Sequence, residues 1–191
     1  MSLYGKGNHN LLQVGRYLDI FALMDYVQHY TSPLGGITLS SDGEALTGLW
    51  FDGQKHFGSV LGPECLEADL PVFGQARRWL DVYFSGREPD FTPPLRLIGT
   101  PFQKAVWEVL RTIPYGRTAT YGEIAARVGA GSATGARPSC RTMARAVGSA
   151  VGRNPVSLIV PCHRVVGAGG RLTGYAAGLP TKSTLLHLES R

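Results

Sequence analysis

The hydrophobic pattern of the chain changes from strand-like to helix-like at a proline-containing segment, residues 88–94, and this change limits the folds that the chain can form. Before this segment, short apolar runs are separated by Asp42-Gly43 and Asp52-Gly53, pairs that favour tight turns between antiparallel strands. After it, apolar residues recur at helical spacing, which predicts an α+β protein. The predicted divisions are an extension without assigned chemistry at residues 1–24, an N-terminal domain at 25–93 and a C-terminal domain at 94–191.

The first half predicts a small antiparallel sheet covered by one helix. Strands are expected at residues 26–30, 37–40 and 45–51, where β-forming residues lie between turn signals. Residues 71–85 carry apolar side chains near helical spacing, and Gly86 supplies a stop signal. We therefore expect a helix there that packs on the sheet.

The second half predicts a mostly helical domain similar to a winged helix-turn-helix. Thr100 with Gln103, and Thr120 with Glu123, have the spacing of a capping box, so helices should begin just after Thr100 and Thr120. The remaining expected elements are a short helix at 143–151, a strand at 156–160 and a last helix at 180–189. Two helices in a basic region suggest DNA binding, although the break between them is longer than in most such motifs.

Charge is distributed unevenly along the 191 residues. Residues 1–100 hold 7 Lys and Arg against 11 Asp and Glu, whereas residues 101–191 hold 12 against 3, and the formal net charge of the chain is +5. A basic half attached to an acidic half is typical of a protein that binds a polyanion such as nucleic acid. A solvated surface rich in arginine is the alternative that charge alone leaves open.

Several classes of protein are disfavoured by composition. No uncharged apolar run approaches the roughly 18–20 residues of a membrane-spanning helix, and no secretory signal is recognisable, so we expect no membrane association and a cytoplasmic protein, or a nuclear one in a eukaryote. The odd number of cysteines argues against a disulfide framework. We expect neither a cofactor nor a metal, because the candidate ligands lack metal-site spacing; these are His9, His29, His56 and Cys65.

Cys162 is the main candidate for chemistry. It follows an apolar run and precedes His163 and Arg164, and neighbouring cationic groups can lower a thiol pKa from about 8.5 to about 7 or below. We therefore expect a nucleophilic thiolate. The alternative is an inert buried cysteine, which is the commoner role for this residue.

Five short motifs across residues 100–189 occur in the same order as in one known protein family. The motifs that carry the likeness are Pro114-Tyr115-Gly116, Thr120 to Ala125, Ala144 to Gly148, Gly152 to Pro155 with Pro161 to Val165, and Thr173-Gly174-Tyr175 with Gly178-Leu179. In these motifs the chain resembles the O6-alkylguanine-DNA alkyltransferases, and Ser32 to Gly35 extends the resemblance weakly into the first half.

The resemblance implies a catalytic role for five residues. Cys162 would accept the alkyl group, while His163, through a water molecule, and Glu189 would form the relay that removes the thiol proton. Asn154 would hold the active-site turn, a role that a purely structural Asn-Pro turn would share. Tyr121 would help to transfer a proton toward the leaving guanine, although a tyrosine is more often part of a core.

The resemblance also implies residues that bind DNA and the everted base. Arg145 would enter the base stack as a finger, with the small Ala144 beside it, because a base must leave the duplex to be reached; an exposed arginine on a phosphate is the alternative. Tyr121 would crowd the DNA phosphate. Arg141 lies in an apparent insertion at residues 130–142 and could add a phosphate contact. The implied pocket residues are Tyr175, Val151, Pro161, Ala176, Ala177 and Lys182.

The implied activity is one transfer of an alkyl group, methyl in particular, from O6-alkylguanine in double-stranded DNA to the protein's own cysteine, by a monomer. A thioether product offers no good leaving group, so each molecule should react once. Ala176 and Ala177 suggest a narrow pocket that tolerates methyl better than benzyl adducts. The alternatives are a damage-binding protein without catalysis, a transcription factor that senses alkylation, and a cysteine hydrolase.

Overall fold

The computed structural model describes residues 24–130 and 140–190. Three predictions fall wholly or partly outside these residues: the extension at 1–24, the insertion at 130–142 and the side chain of Arg141. Within the described residues, no helix is both long enough and apolar enough to cross a membrane.

A four-stranded sheet forms the first half of the described chain. Its strands are β1 (Asp25–Ser32), β2 (Gly35–Ser41), β3 (Leu46–Phe51) and β4 (Cys65–Glu67), in the order β3-β2-β1-β4. The three predicted strands are present, and β2 pairs in antiparallel with both β1 and β3; β4 pairs in parallel with β1 and was not predicted. Three exposed residues are too few to show an alternating pattern in sequence.

The predicted covering helix is α1 (Pro71–Phe84). Its apolar positions Phe73, Ala76 and Leu80 are fully buried, as helical spacing indicates. Tyr83 on the same face is also fully buried, with its ring stacked on that of Trp79 at a centroid distance of 5.2 Å. The helix therefore buries a polar hydroxyl together with its apolar stripe, and that hydroxyl must find a partner.

The second half is mostly helical. Its elements are α2 (Pro101–Arg111), β5 (Ala119–Thr120), α3 (Tyr121–Ala130), α4 (Cys140–Gly152), β6 (Val165–Val166) and α5 (Leu179–Glu189), with a 3-10 turn at Cys162–Arg164. Both predicted capping boxes form: Gln103 N donates to Thr100 Oγ1 and Glu123 N donates to Thr120 Oγ1, each at 3.2 Å. The predicted α+β fold class is confirmed.

The strand predicted at residues 156–160 is wrong. Val156 makes only an isolated bridge to Leu49, and the segment then turns, with Val160 N donating to Val156 O at 3.0 Å. The backbone of the buried Leu158 lies in the left-handed region at φ 68°, which residues other than glycine rarely adopt. Local turn hydrogen bonds therefore replace strand pairing in this apolar run, and periodicity could not distinguish the two.

The edge of the N-terminal sheet carries this turn. Leu49 N donates to Pro155 O at 2.8 Å, and Ser157 N donates to Leu49 O at 2.9 Å. Because β3 is a buried strand, its backbone groups hold residues 155–157 at a fixed place against the sheet. The turn that precedes Cys162 is thus positioned by both halves of the chain.

Candidate active site

A cavity of about 200 Å³ opens in front of Cys162. The cysteine is only 5% exposed, yet it contributes to the cavity wall. The wall residues come from five parts of the chain and are Lys55, His56, Tyr121, Gly148, Val151, Gly152, Cys162, Gly174, Tyr175 and Ala176. A buried thiol that faces a cavity is accessible to a small reacting group while bulk water is largely excluded.

Short backbone pairings bring the distant wall residues together. In the parallel pair of β5 and β6, Ala119 lies opposite Val165 and Thr120 opposite Val166, so the start of α3 lies beside the 3-10 turn that carries Cys162. A Cβ at Gly148 would lie 3.7 Å from the ring of Tyr121, which shows that α4 approaches this ring closely. The tertiary structure thus places Tyr121 in the wall that contains Cys162.

Asn154 holds the active-site turn closed. Its Nδ2 donates to Val160 O at 2.7 Å, and its Oδ1 accepts a hydrogen bond from Val156 N at 3.0 Å. The side chain is buried and also lies within hydrogen-bond reach of the thiol. The structural and the catalytic interpretations of Asn154 are therefore compatible in this geometry.

The prediction that His163 and Arg164 lower the pKa of the Cys162 thiol is wrong. Burial raises the pKa of the Cys162 thiol above its ordinary value, because a charge is poorly solvated there. The groups that oppose this effect include Asn154 and Ser157, by their hydrogen bonds, and Lys182, by its positive charge. The thiol therefore needs a base to remove its proton during the reaction.

His163 and Glu189 form a fully buried hydrogen-bonded pair behind the cysteine. His163 Nε2 lies 2.7 Å from Glu189 Oε1, and both side chains are 0% exposed. Burial lowers the pKa of His163 even though the carboxylate favours protonation, so the imidazole is neutral near pH 7. Burial opposes ionisation of Glu189, but hydrogen bonds from His163 and Arg164 outweigh it and lower its pKa to about 2.

Three further donors converge on the Glu189 carboxylate. Arg164 donates from Nε to Oε2 at 2.8 Å and from Nη2 to Oε1 at 3.0 Å, and Tyr83 donates to Oε1 at 2.8 Å. Gly116 N donates to Oε2 at 3.1 Å from a backbone at φ 68°, where a Cβ would lie 2.8 Å from the Glu189 carbonyl oxygen. Glycine is therefore required at residue 116 for this contact.

The hydrogen bonds of His163 define which ring nitrogen can act as a base. Nε2 faces the ionised Glu189 and so carries the proton, which leaves the lone pair on Nδ1. Nδ1 is buried and has no hydrogen-bond partner among the described residues. The imidazole is thus oriented to accept a proton at Nδ1, and its carboxylate partner would stabilise the resulting cation.

The structure divides the predicted pocket residues into two groups. Val151, Tyr175 and Ala176 line the cavity, whereas Pro161, Ala177 and Lys182 do not. Only Ala176 can therefore narrow the cavity directly in the way proposed for the alanine pair.

Lys182 acts beneath the pocket loop instead of in the cavity wall. Its fully buried Nζ donates to the backbone oxygens of Val165 and Thr173, and burial lowers its pKa. A lysine in a sequence pattern does not reveal whether its ammonium faces a substrate or its own backbone. Here the side chain ties β6 to the loop that carries Tyr175.

The predicted DNA-contact residues lie on α4 and at the start of α3. Arg145 is exposed and Ala144 is half-buried, while Tyr121 is half-buried in the cavity wall. The two helices pack against each other as the helix-turn-helix interpretation expects. Within the described residues, no three His, Cys, Asp or Glu side chains form a group that could hold a metal ion.

Four residues of this region were missed or misread in the sequence. Arg164 was considered only as a neighbour of the thiol, but its guanidinium is bound to Glu189. Tyr83, Lys55 and His56 belong to the N-terminal half and reach the site only through the packing of the two halves. No local sequence signal marks these three, since their partners in the site lie at least 65 residues away along the chain.

The fold and the site define a class: a two-part α+β protein with a helical DNA-binding region and a cavity-facing cysteine. Residues 101–191 match the family model for the 6-O-methylguanine DNA methyltransferase DNA-binding domain, and residues 26–97 match that for its ribonuclease-like domain. The chain belongs to the 6-O-methylguanine DNA methyltransferase family.

Individual relatives agree with this assignment. A methylated-DNA–protein-cysteine methyltransferase of Mycobacterium leprae is 45% identical over 87% of this chain and 93% of its own length. One of Methanosarcina acetivorans is 44% identical over 86% and 97%. The crystal structure of Mycobacterium tuberculosis OGT in complex with DNA superimposes with a TM-score of 0.72 at 42% identity, covering 87% of this chain and 92% of that one.

Proposed function

We propose that this protein repairs DNA by transferring the alkyl group of O6-alkylguanine to the sulfur of Cys162. The observation that carries the proposal is that the Cys162 thiol faces a cavity, while a buried His163–Glu189 pair lies behind it. Relatives 41–45% identical, named methylated-DNA–protein-cysteine methyltransferases, support the same reaction.

The reaction forms a sulfur–carbon bond and breaks the bond between that carbon and O6 of guanine. The thiol proton passes to Nδ1 of His163 through a bridging water molecule, because the protein hydrogen bonds of His163 run to Glu189 and Tyr83. Tyr121 in the cavity wall delivers a proton toward the departing guanine. The thioether that results has no polarised carbonyl for water to attack, so each molecule reacts once.

The base reaches the cavity by leaving the double helix. Unstacking and unpairing of one base cost a few kcal/mol, and the exposed Arg145 on α4 occupies the resulting space. The half-buried Ala144 beside it lets α4 approach the groove closely. One chain supplies every group named in this mechanism, so we propose that the protein acts as a monomer.

The two domains have different functions in this mechanism. The C-terminal domain, residues 94–191, holds the acceptor and the DNA-binding helices. The N-terminal domain, residues 25–93, supports the active-site turn through β3 and the relay through Tyr83.

Mass analysis of the Cys162 peptide tests the transfer directly. After incubation with a duplex that carries one O6-methylguanine, this peptide should gain one methyl group, and the yield should not exceed one methyl per protein molecule. Cys162→Ala should gain none, and Cys65→Ala, which removes an exposed cysteine outside the cavity, should react like the wild type.

The other outcomes of this experiment identify the alternatives. Tight binding of the damaged duplex without any mass gain would indicate a damage-binding protein, and unlimited turnover of a thiol-reactive ester would indicate a cysteine hydrolase. Methylation that changes the affinity for one particular DNA sequence would indicate a transcription factor that senses alkylation.

Replacing Arg145 tests base extrusion. Arg145→Ala should slow methyl transfer from duplex DNA about tenfold or more, because part of a cost of a few kcal/mol is no longer compensated. Transfer from free O6-benzylguanine should change less than twofold, since no base has to leave a stack. Arg111→Ala, which removes an exposed arginine from α2, is the matched control. Equal losses on both substrates would rule out the finger role.

A further inference from the structure

The segment that follows β3 overhangs the cavity from the N-terminal half. We define it as the β3 loop, residues 52–61. Gln54 is buried at its base, where Oε1 accepts hydrogen bonds from Phe51 N at 3.0 Å and from Ser157 Oγ at 3.4 Å. Lys55 N donates to Ala176 O at 3.1 Å. The loop is therefore attached to both the active-site turn and the loop that carries Tyr175.

The conformation of the β3 loop is closely specified. His56 has φ 60°, a left-handed conformation that is uncommon for a residue with a side chain. Successive tight turns follow, and the ring of Phe57 packs against that of Trp50 at a centroid distance of 5.9 Å. Backbone strain of this kind persists where the surroundings hold it, and it is concentrated at functional sites. The loop thus presents Lys55 and His56 to the cavity in a defined position.

Lys55 carries an exposed positive charge at this position. It lines the same cavity as Cys162, and it takes part in no ion pair with another described residue. The first hundred residues are acidic overall, so a lysine at the cavity is an exception to the charge of its own half. An everted nucleotide remains joined to the strand by its two phosphates, which brings anionic groups to the mouth of the cavity.

We propose that Lys55 binds a backbone phosphate of the damaged strand beside the everted guanine, with His56 as the outer wall of the cavity. The N-terminal half then takes part in holding the DNA substrate as well as in supporting the active site. This inference rests on the proposed function, because it requires an everted nucleotide in the cavity. The occupant follows from charge complementarity and from the continuity of Lys55 with the wall around Cys162.

The salt dependence of DNA binding isolates a phosphate contact from other effects. Each neutralised phosphate contributes about 0.9 to the slope of log affinity against log salt concentration. In a Cys162→Ala background, which cannot react, Lys55→Met should reduce this slope by about that amount for a duplex with one O6-methylguanine. Methionine keeps most of the aliphatic length of lysine, so the substitution removes mainly the charge. Affinity at about 50 mM salt should fall roughly three- to tenfold.

Two control variants complete the design. Lys55→Arg should keep the slope of the parent protein, and Lys104→Met, which removes an exposed lysine from α2 outside the cavity wall, should also keep it. With Cys162 intact, Lys55→Met should slow transfer from duplex DNA more than transfer from free O6-benzylguanine, because the free base has no phosphate.

The outcomes separate this inference from the proposed function. An unchanged salt slope in Lys55→Met would overturn the phosphate contact, even if the wild-type protein methylates Cys162 normally. An equal loss with Lys104→Met would show a general effect of net charge and would overturn it as well. Failure of the wild type to methylate Cys162 would instead contradict the proposed function.

Discussion

Replacing Glu189 with alanine should destabilise the protein by roughly 3–5 kcal/mol and abolish measurable alkyl transfer. The carboxylate is fully buried and accepts hydrogen bonds from Arg164, His163 and Tyr83. Without it, the buried guanidinium of Arg164 has lost its counter-charge, and the proton of His163 loses its acceptor. Denaturant unfolding at neutral pH would measure the change in the free energy of unfolding.

Two more conservative substitutions, one at Glu189 and one at Tyr83, separate the effect of the Glu189 charge from the effects of packing and of a single hydrogen bond. Glu189→Gln keeps the shape of the side chain and removes its charge, so it should recover part of the packing but little of the repair activity. Tyr83→Phe removes one donor to Glu189 and should cost about 1 kcal/mol of stability. A Glu189→Ala protein as stable as the wild type would contradict the assigned role of the carboxylate as the centre of this network.

Replacing His163 with asparagine should slow methyl transfer by about 10²- to 10⁴-fold, the range expected for loss of a general base. Because burial raises the pKa of Cys162, the thiol cannot supply the thiolate without a proton acceptor. Rapid-quench measurement of the methylated Cys162 peptide would give the rate. Binding of damaged duplex should change far less than the rate, since His163 does not line the cavity.

The pH dependence of the wild-type rate provides an independent check on His163. Its folded pKa lies below the ordinary value of 6.5, so the rate should be constant above pH 6.5 and should fall only at lower pH, as the imidazole gains a proton. The asparagine variant should lack this acid limb. A wild-type rate that rises steadily above pH 7 would indicate that thiol ionisation, without His163 as base, limits the reaction.

The lowered pKa values of His163 and Glu189 also make the stability of the folded protein decrease in acid. His163 and Glu189 both bind protons more weakly in the folded chain than in the unfolded chain. Their contribution to stability is complete above pH 6.5 and 4.5 respectively, and it is lost as pH falls through the folded pKa, about 2 for Glu189. Acid should therefore begin to destabilise the protein as pH falls below 6.5, through His163, and should destabilise it further below pH 4.5, through Glu189.

The sequence predicted well those elements whose conformation depends only on residues close together in the chain. The capping boxes at Thr100 and Thr120 form as predicted, because each needs only residues three positions apart. The run at 156–160 failed for the opposite reason. Its conformation depends on the buried amide of Asn154 and on the edge of β3, and apolar content alone is the same for a strand and a buried turn.

The fold class, the capped starts of α2 and α3, and Cys162 as the candidate nucleophile could all be predicted from the sequence, because each depends on residues that are adjacent or regularly spaced. The ionisation of the thiol, the choice of pocket residues that face the cavity, the contact of Tyr83 with Glu189 and the position of Lys55 in the cavity wall depend on the tertiary structure. Burial and long-range contact control these properties. A pKa depends on the desolvation of the group, and desolvation arises only when distant segments pack around it.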